Sequence, residues 1–497
     1  MKEFESSFTA LANGLRAFEN SSDPALLECF NALPMGAEGL QPHEAVTLIE
    51  PLLPDCGSWT VSWPWPQIVF GSYYALGFAL ADTEDCSTGV PYEDDSLMLY
   101  EIVKDGSWSV DPMWDLGPVS MIDQVDVADF GQFYVVSTFG YDADDEPVVE
   151  SYHRLPGINK PNIQYQAAEI DGNDGAAEFP AFITACNFNG QAVVGGILSD
   201  NPIWHDRDLH SVCWSGIGNF DFNPERTMEA GFADLDWGQN GQGIVYKVRK
   251  LGQQVVAFGS GGISLLMPVS DPVSTYGIRN LSMPGVASGN HVAGDETIVG
   301  WIDVNNDFWL MDANAKSKKL GYREWLSALT GTIIVSYVPG RKRFFISNGT
   351  KGYVLAEGGL YECHQCLTGG GLHQEQLCGF FVNNADYEWR VETTDLDFKQ
   401  RAFKTVEFVE VHGASELVSA RVKYKSTLVG SFNALAWKSV NPHGVLFETA
   451  SGSDFRIGVK GTDYRLSTDI IDGIKVRVKL TDKRNIRGLY AADKNFT

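Results

Sequence analysis

What this sequence has least of is positive charge. Its 497 residues carry 37 Lys and Arg against 64 Asp and Glu, a formal net charge of −27. A conventional reader of nucleic acid is excluded, because affinity for phosphates rests on Lys and Arg displacing condensed counterions. Cysteine is also sparse, with eight residues over this length. That is too few for a disulfide framework, and they read as reduced thiols made in a cytoplasm. Long apolar runs are missing: the longest nearly uncharged stretch, 68–81, holds 14 residues and includes Gly71, Ser72 and Gly77. A membrane helix needs roughly 20 apolar residues, so no membrane-spanning segment is expected. The chain opens Lys2-Glu3-Phe4-Glu5, with neither the basic start nor the apolar stretch of a secretory signal. Helical periodicity is scarce outside the first thirty residues and around 322–329.

Catalytic signatures are missing as well. There is no G-x-S-x-G elbow, no H-E-x-x-H and no full Walker sequence. A glycosidase pair such as Asp94 with Glu146 is conceivable, but nothing singles out two of 64 carboxylates. Trp59, Trp63 and Trp65 alternate along one strand, which fits core packing better than stacking on sugars. No catalytic residue and no cofactor are expected.

What is present is apolar and aromatic: 44% hydrophobic residues, with 28 Phe, 18 Tyr and 13 Trp. So much apolar surface collapses in water, and the length suggests two to four domains. A turn glycine followed by a short apolar strand recurs at Gly131–Val136, Gly190–Val194 and Gly252–Val256, and more loosely at Gly294–Val299 and Gly340–Phe345. Successive copies lie 42–62 residues apart, the size of a four-stranded propeller blade with insertions. Stacking such units buries faces that one alone would expose. Ile298–Ile302, a polar turn and Phe308–Met311 read as a hairpin, as does the Pro339-Gly340 turn. The expected fold class is mostly β, a β-propeller with an additional β-rich platform. Its parts are a partly helical segment 1–60 joining the platform, a propeller-like region 61–375 and a platform 376–497.

Charge divides the chain. Residues 391–497 hold 17 Lys and Arg against 13 Asp and Glu, net +4, which leaves 20 against 51, net −31, for 1–390. In the C-terminal part Val418, Ala420, Val422 and Tyr424 interleave with Arg421, Lys423 and Lys425. Ile474, Val476, Val478 and Leu480 interleave likewise with Lys475, Arg477 and Lys479. Period two places the apolar set on one face and the cations on the other, a basic surface suited to an acidic partner or a phosphate backbone. Acidic clusters at 82–85, 93–95 and 142–146 read as solvated loops.

Three motifs imitate ligand sites. Cys363, Cys366, His373 and Cys378 offer four soft ligands in the spacing C-x2-C-x6-H-x4-C, as Zn²⁺ requires, but the gap before the histidine is long and the cysteines suit a buried strand, so zinc is rejected. Asp303-Val304-Asn305-Asn306-Asp307 opens like a calcium loop, yet Phe308 stands where glycine is needed and Asn314 where glutamate is, so a hairpin turn is expected. Gly259-Ser260-Gly261-Gly262 is followed by a strand, not by a helix N-terminus with Lys-Ser/Thr, and reads as a turn.

The central region carries a resemblance. His210–Phe222 with its Trp214-Ser215 phrase, then Gly243–Val245 through Val255–Phe258, then Gly261–Leu266, resemble the propeller of tail tubular or nozzle proteins of short-tailed bacteriophages. Trp301–Asp303 with Phe308–Asp312 is similar to the next blade, Glu357–Tyr361 to a later one, and Phe455–Ile457 through Lys483–Gly488 to the C-terminal β segment with its basic run. The Cys363–Cys378 cluster and residues 1–50 have no counterpart in that pattern. The resemblance implies a virion tail protein synthesised in the host cytoplasm. It implies six copies closed into a ring that continues the DNA channel from the head-to-tail adaptor towards the tip, with docking surfaces for the adaptor and for fibres. An acidic wall suits such a conduit, since carboxylates repel passing phosphates. Arg421, Lys423, Lys425, Lys475, Arg477 and Lys479 are the candidate interface cations. Two other functions are consistent with the residues: a receptor- or glycan-binding or degrading tail protein, and a monomeric propeller acting as an interaction hub.

Overall fold

The structure, a computed structural model, describes residues 3–8 and 13–15, most of 25–48, four strands between 68 and 118, most of 122–154, the strand 166–167, and most of 181–481. The chain is mostly β-sheet, in several distinct sheets. It divides into two compact units. One comprises 1–46, 350–366 and 382–497; the other comprises 47–349 and 367–381.

The larger unit is built from local hairpins. Five four-stranded antiparallel meanders follow one another, each with its strands paired in chain order. The first runs from Ile68–Phe70 to Trp108–Pro118 and the second from Gln124–Asp129 to Gln166–Ala167. The third runs from Ala181–Phe188 to Gly231–Asp234, the fourth from Val245–Leu251 to Ser274–Leu281, and the fifth from Val292–Gly294 to Ser317–Gly321. Two of the turn glycines anticipated from sequence are left-handed, Gly190 at φ 84° and Gly252 at φ 60°, closing the first hairpins of the third and fourth meanders; at 339–342 the left-handed residue is Lys342 at φ 51° and not Gly340, because Pro339–Arg341 forms a 3-10 turn, and Gly131 lies outside the described residues. The helical reading near 322–329 corresponds to one turn, Arg323–Leu326.

The second to fifth meanders pack face to face. Ala128 and Val135 of the second meet Phe182, Ala185 and Val194 of the third. Phe188, Val193, Val212 and Trp214 of the third meet Val245, Val248, Val255 and Tyr276 of the fourth. Phe258 and Leu265 of the fourth meet Val299, Trp301 and Met311 of the fifth. Strands such as Gln191–Leu198 are therefore buried on both sides and read as continuous apolar runs. Gly195 lets the third and fourth meanders approach, because a Cβ there would lie 2.7 Å from Val245 Cγ1. Closure of the series into a ring is not seen among the described residues.

The smaller unit is stitched from distant strands. Glu3–Phe8 pairs with Gly473–Leu480, which pairs in turn with Lys404–His412. Leu26–Phe30 pairs with Trp389–Thr393, followed by Phe455–Gly461 and Val418–Lys425. The described residues of 1–46 form strands where the sequence suggested partial helix, because the edges of two sheets supply backbone partners that local propensity does not register. Val418, Ala420 and Val422, like Ile474, Val476 and Val478, are buried while the intervening cations are half-buried, as the alternation requires.

Candidate functional site

A charged residue inside an otherwise apolar strand is the mark of a built site, and the larger unit has three such residues together. Asp126 lies in the first strand of the second meander, Thr184 in the first strand of the third, and Lys247 and Arg249 in the first strand of the fourth. Lys247 Nζ is 2.6 Å and an Arg249 guanidinium nitrogen 3.1 Å from Asp126 Oδ1. Thr184 Oγ1 donates to Asp126 Oδ2 at 2.5 Å and accepts from the Val248 amide at 3.0 Å. Asp126 and Lys247 are 2% and 7% exposed, Arg249 26%. Burial alone would raise the Asp126 carboxyl, but Arg249 and Lys247 outweigh it and hold the group below the ordinary aspartate range. Burial, with Arg249 adding repulsion, pushes the Lys247 ammonium down to about 8 against the pull of Asp126.

The cluster forms one wall of a cavity of about 490 Å³, lined also by Asp129, Cys186, Asn187, Asn189, Lys250 and Glu296. Lys250 is held by Glu296 at 2.8 Å. Cys186 is an unsuitable nucleophile, since burial pushes its thiol up to about 12. Sequence reading missed this site. Asp126 and Lys247 are 121 positions apart, and the only local signals are the charges within QVDVAD and VYKVRKL.

Several sequence candidates resolve into turn chemistry. In the 142–146 cluster, Asp142 Oδ1 accepts from the amides of Asp144 and Glu146, both at 2.9 Å. The same five-residue turn recurs with Asp303 on Asn305 and Asp307, with Asp312 on Asn314 and Lys316, and in the smaller unit with Asn441 on His443 and Val445. The fourth residue of each turn, Asp145, Asn306, Ala315 or Gly444, is left-handed. The calcium-like run is one of these hairpins: Asp303 Oδ2 also accepts from Trp309 Nε1 at 2.9 Å, and Asp307 is held by Lys319 at 2.7 Å and by Arg323. Gly259–Gly262 is a turn, closed by Gly259 N donating to Gly262 O.

Cys363 and Cys366 are buried, and Cys366 Sγ donates to Tyr353 O at 3.4 Å. His373 and Cys378 lie on paired strands, and their side chains fall outside the described residues. Among the described residues no group of three His, Cys, Asp or Glu could hold a metal ion. Trp59, Trp63, Trp65, Asp94, the clusters at 82–85 and 93–95, and the basic run at 483–487 also lie outside them.

The six candidate interface cations are all paired inside the smaller unit. Arg421, at 3.4 Å, and Lys423 hold Glu392, while Lys425 holds Asp395 at 3.6 Å. Lys475, at 3.1 Å, and Arg477 hold Glu5, and Lys479 holds Glu407. Many of the unit's cations also sit on aromatic faces: Arg421 and Lys460 over Trp437, Arg456 and Lys425 over Phe432, Arg477 over Phe408. The expected basic stripes are therefore half-buried and largely neutralised from within. By unit, the smaller holds 21 Lys and Arg against 24 Asp and Glu, net −3, and the larger 16 against 40, net −24. Residues 47–240 alone hold 5 against 32.

No family model and no curated protein matches the chain. Among solved structures it is similar to PorZ, a surface component of the type-IX secretion system of Porphyromonas gingivalis, at 11% identity and a TM-score of 0.33, over 66% of this chain and 35% of that one. It is similar to Trypanosoma rangeli sialidase at 10% identity and a TM-score of 0.31, over 99% and 98%. It is similar to BamB from Moraxella catarrhalis at 10% identity and a TM-score of 0.28, over 61% and 89%. Likenesses this weak do not define a shared fold.

Proposed function

We propose that the protein is a structural subunit of a short-tailed bacteriophage tail, of the nozzle or tail tubular type. In this reading the five meanders belong to a β-propeller, the smaller unit is the platform, and six copies form a ring through which DNA passes without specific binding. The observation that carries it is the series of four-stranded meanders packed face to face, the repeating unit from which propellers are made. The order of motifs from Trp214 to Asp312 supports the family. The acidic excess of 47–240 supports a wall that repels phosphate. The role is mechanical, without catalysis, and the partners are the adaptor and the fibre or tip proteins. Light scattering on the purified chain and negative-stain images test it: a six-fold ring with a central hole is expected, and a monomer at micromolar concentration would overturn the reading.

A second reading, a receptor- or glycan-binding tail protein, is favoured by one observation, the polar cavity beside Asp126, Lys247 and Arg249. Its volume is that of a small-molecule site.

A further inference from the structure

Arg249 is the least satisfied charged group in the Asp126 cavity. Its guanidinium carries five N–H donors in a planar fork, and one of its nitrogens meets Asp126 at 3.1 Å. No other hydrogen bond or ion pair of that side chain occurs among the described residues. It is 26% exposed and faces a cavity of about 490 Å³. Two cations share the single buried carboxylate, so the inner wall holds one positive charge in excess. The neighbouring carboxylates are otherwise engaged: Asp295 Oδ1 accepts from Thr297 N and Ile298 N, and Glu296 pairs with Lys250.

From this arrangement we infer that the cavity binds a sugar acid, with the ligand's one carboxylate on the free edge of the Arg249 fork. A planar guanidinium edge matches a carboxylate through two parallel bonds, which an ammonium does not provide. The acidic groups at the rim, Asp129, Asp295 and Glu296, oppose a second negative charge, which selects a monoanion over a phosphate dianion. The rest of the lining mixes Asn187 and Asn189 with Val127, Ala128 and Ala185: Asn187 accepts the Gly190 amide through Oδ1 at 3.2 Å, which leaves its Nδ2 to donate to a hydroxyl, and the apolar patches suit the C–H face of a sugar ring. A hydroxylated body therefore fits this wall better than an apolar one. The inference rests on the glycan-binding reading and deepens it, and it does not depend on ring formation.

The test is calorimetric titration of the full chain with D-glucuronate, D-glucose, acetate and inorganic phosphate, repeated on Arg249→Lys and Asn187→Ala. Arg249→Lys keeps the charge beside Asp126 but removes the fork, so the cluster and the fold should survive, as circular dichroism would check. The expected result is that glucuronate binds the native chain at least about tenfold more tightly than the other three. Arg249→Lys should then lose about tenfold in affinity, with Asn187→Ala losing less. Glucose binding as tightly as glucuronate would overturn the carboxylate assignment while leaving a glycan site standing. Acetate or phosphate binding equally well would overturn the sugar. Binding of none of them, or undiminished binding to Arg249→Lys, would overturn the inference outright.

Discussion

Asp126 in the larger unit and Glu392 in the smaller are both buried among cations, and the two are held differently. Asp126 of the larger unit is reached by Lys247 and Arg249 from another meander and is sealed by Thr184 from a third. Glu392 of the smaller unit, 5% exposed, is ringed by Arg421, Lys423 and Arg456, each 21–28% exposed and on the same sheet. In the first case the charges join strands that belong to three separate sheets. In the second they decorate strands already laddered together, and Trp437 and Phe432 cover the cations from the other side. Similar ion counts thus do unlike work: one cluster fixes how meanders sit on each other, the other neutralises a surface.

Exchanging each carboxylate for its amide separates those roles. Asp126→Asn should destabilise the larger unit by about 3–5 kcal/mol, because buried Lys247 loses its counter-charge and Arg249 loses its one partner. Glu392→Gln should cost about 1 kcal/mol, since its partners are partly solvated and Asp395 and the aromatic faces remain. Chemical denaturation of both variants checks this, and equal losses would dissolve the distinction.

The shared five-residue turn offers a finer comparison. Asp303→Ala removes acceptors from two amides and from the Trp309 indole in a buried setting, and about 2–3 kcal/mol should be lost. Asn441→Ala removes the same two amide contacts at the surface of the other unit and should cost about 1 kcal/mol. Thermal denaturation would read both.

Acidity probes the larger unit's cluster alone. The folded value of Lys247, about 8, lies below the ordinary 10.5. Between those values the unfolded chain binds the additional proton, so this group's contribution to stability rises as pH rises from about 8 to 10.5. Lys247→Met should flatten the stability profile of the larger unit in that window, and unchanged slopes between pH 8 and 10.5 would count against the assignment. His291, pushed by burial down to about 4, has the same sign at lower pH: its contribution is full above 6.5 and is lost as pH falls towards 4.

The contrast also explains what could be read from sequence. Hairpins in the larger unit announce themselves because a glycine at Gly190 or Gly252 and the apolar strand after it are neighbours in the chain. Alternation at Val418–Lys425 and Gly473–Leu480 likewise revealed which side of each strand is buried. Partner identity did not follow: nothing local says that Lys475 and Arg477 meet Glu5, or that Lys423 meets Glu392. The expected basic stripes were therefore correct in phase and incomplete in company. The acidic cluster at 142–146 reads as a solvated loop, but its role as a backbone acceptor appears only once Asp145 is seen to be left-handed. The Asp126 cluster left only the trace of charges within apolar strands, because its members come from three meanders.

The pairing of Glu3–Phe8 with Gly473–Leu480 sets a timetable for making the protein. Glu3 meets Lys479, so the strand Gly473–Leu480 must be synthesised before Glu3–Phe8 finds its neighbour. At about 5–20 residues per second that wait is roughly half a minute to a minute and a half. The meanders of the larger unit close over much shorter stretches and can form while translation continues. Until Gly473–Leu480 emerges, Glu3–Phe8 lacks that sheet partner, a strand edge open to adhesion between nascent chains. Slower translation would lengthen that exposure without altering the finished fold.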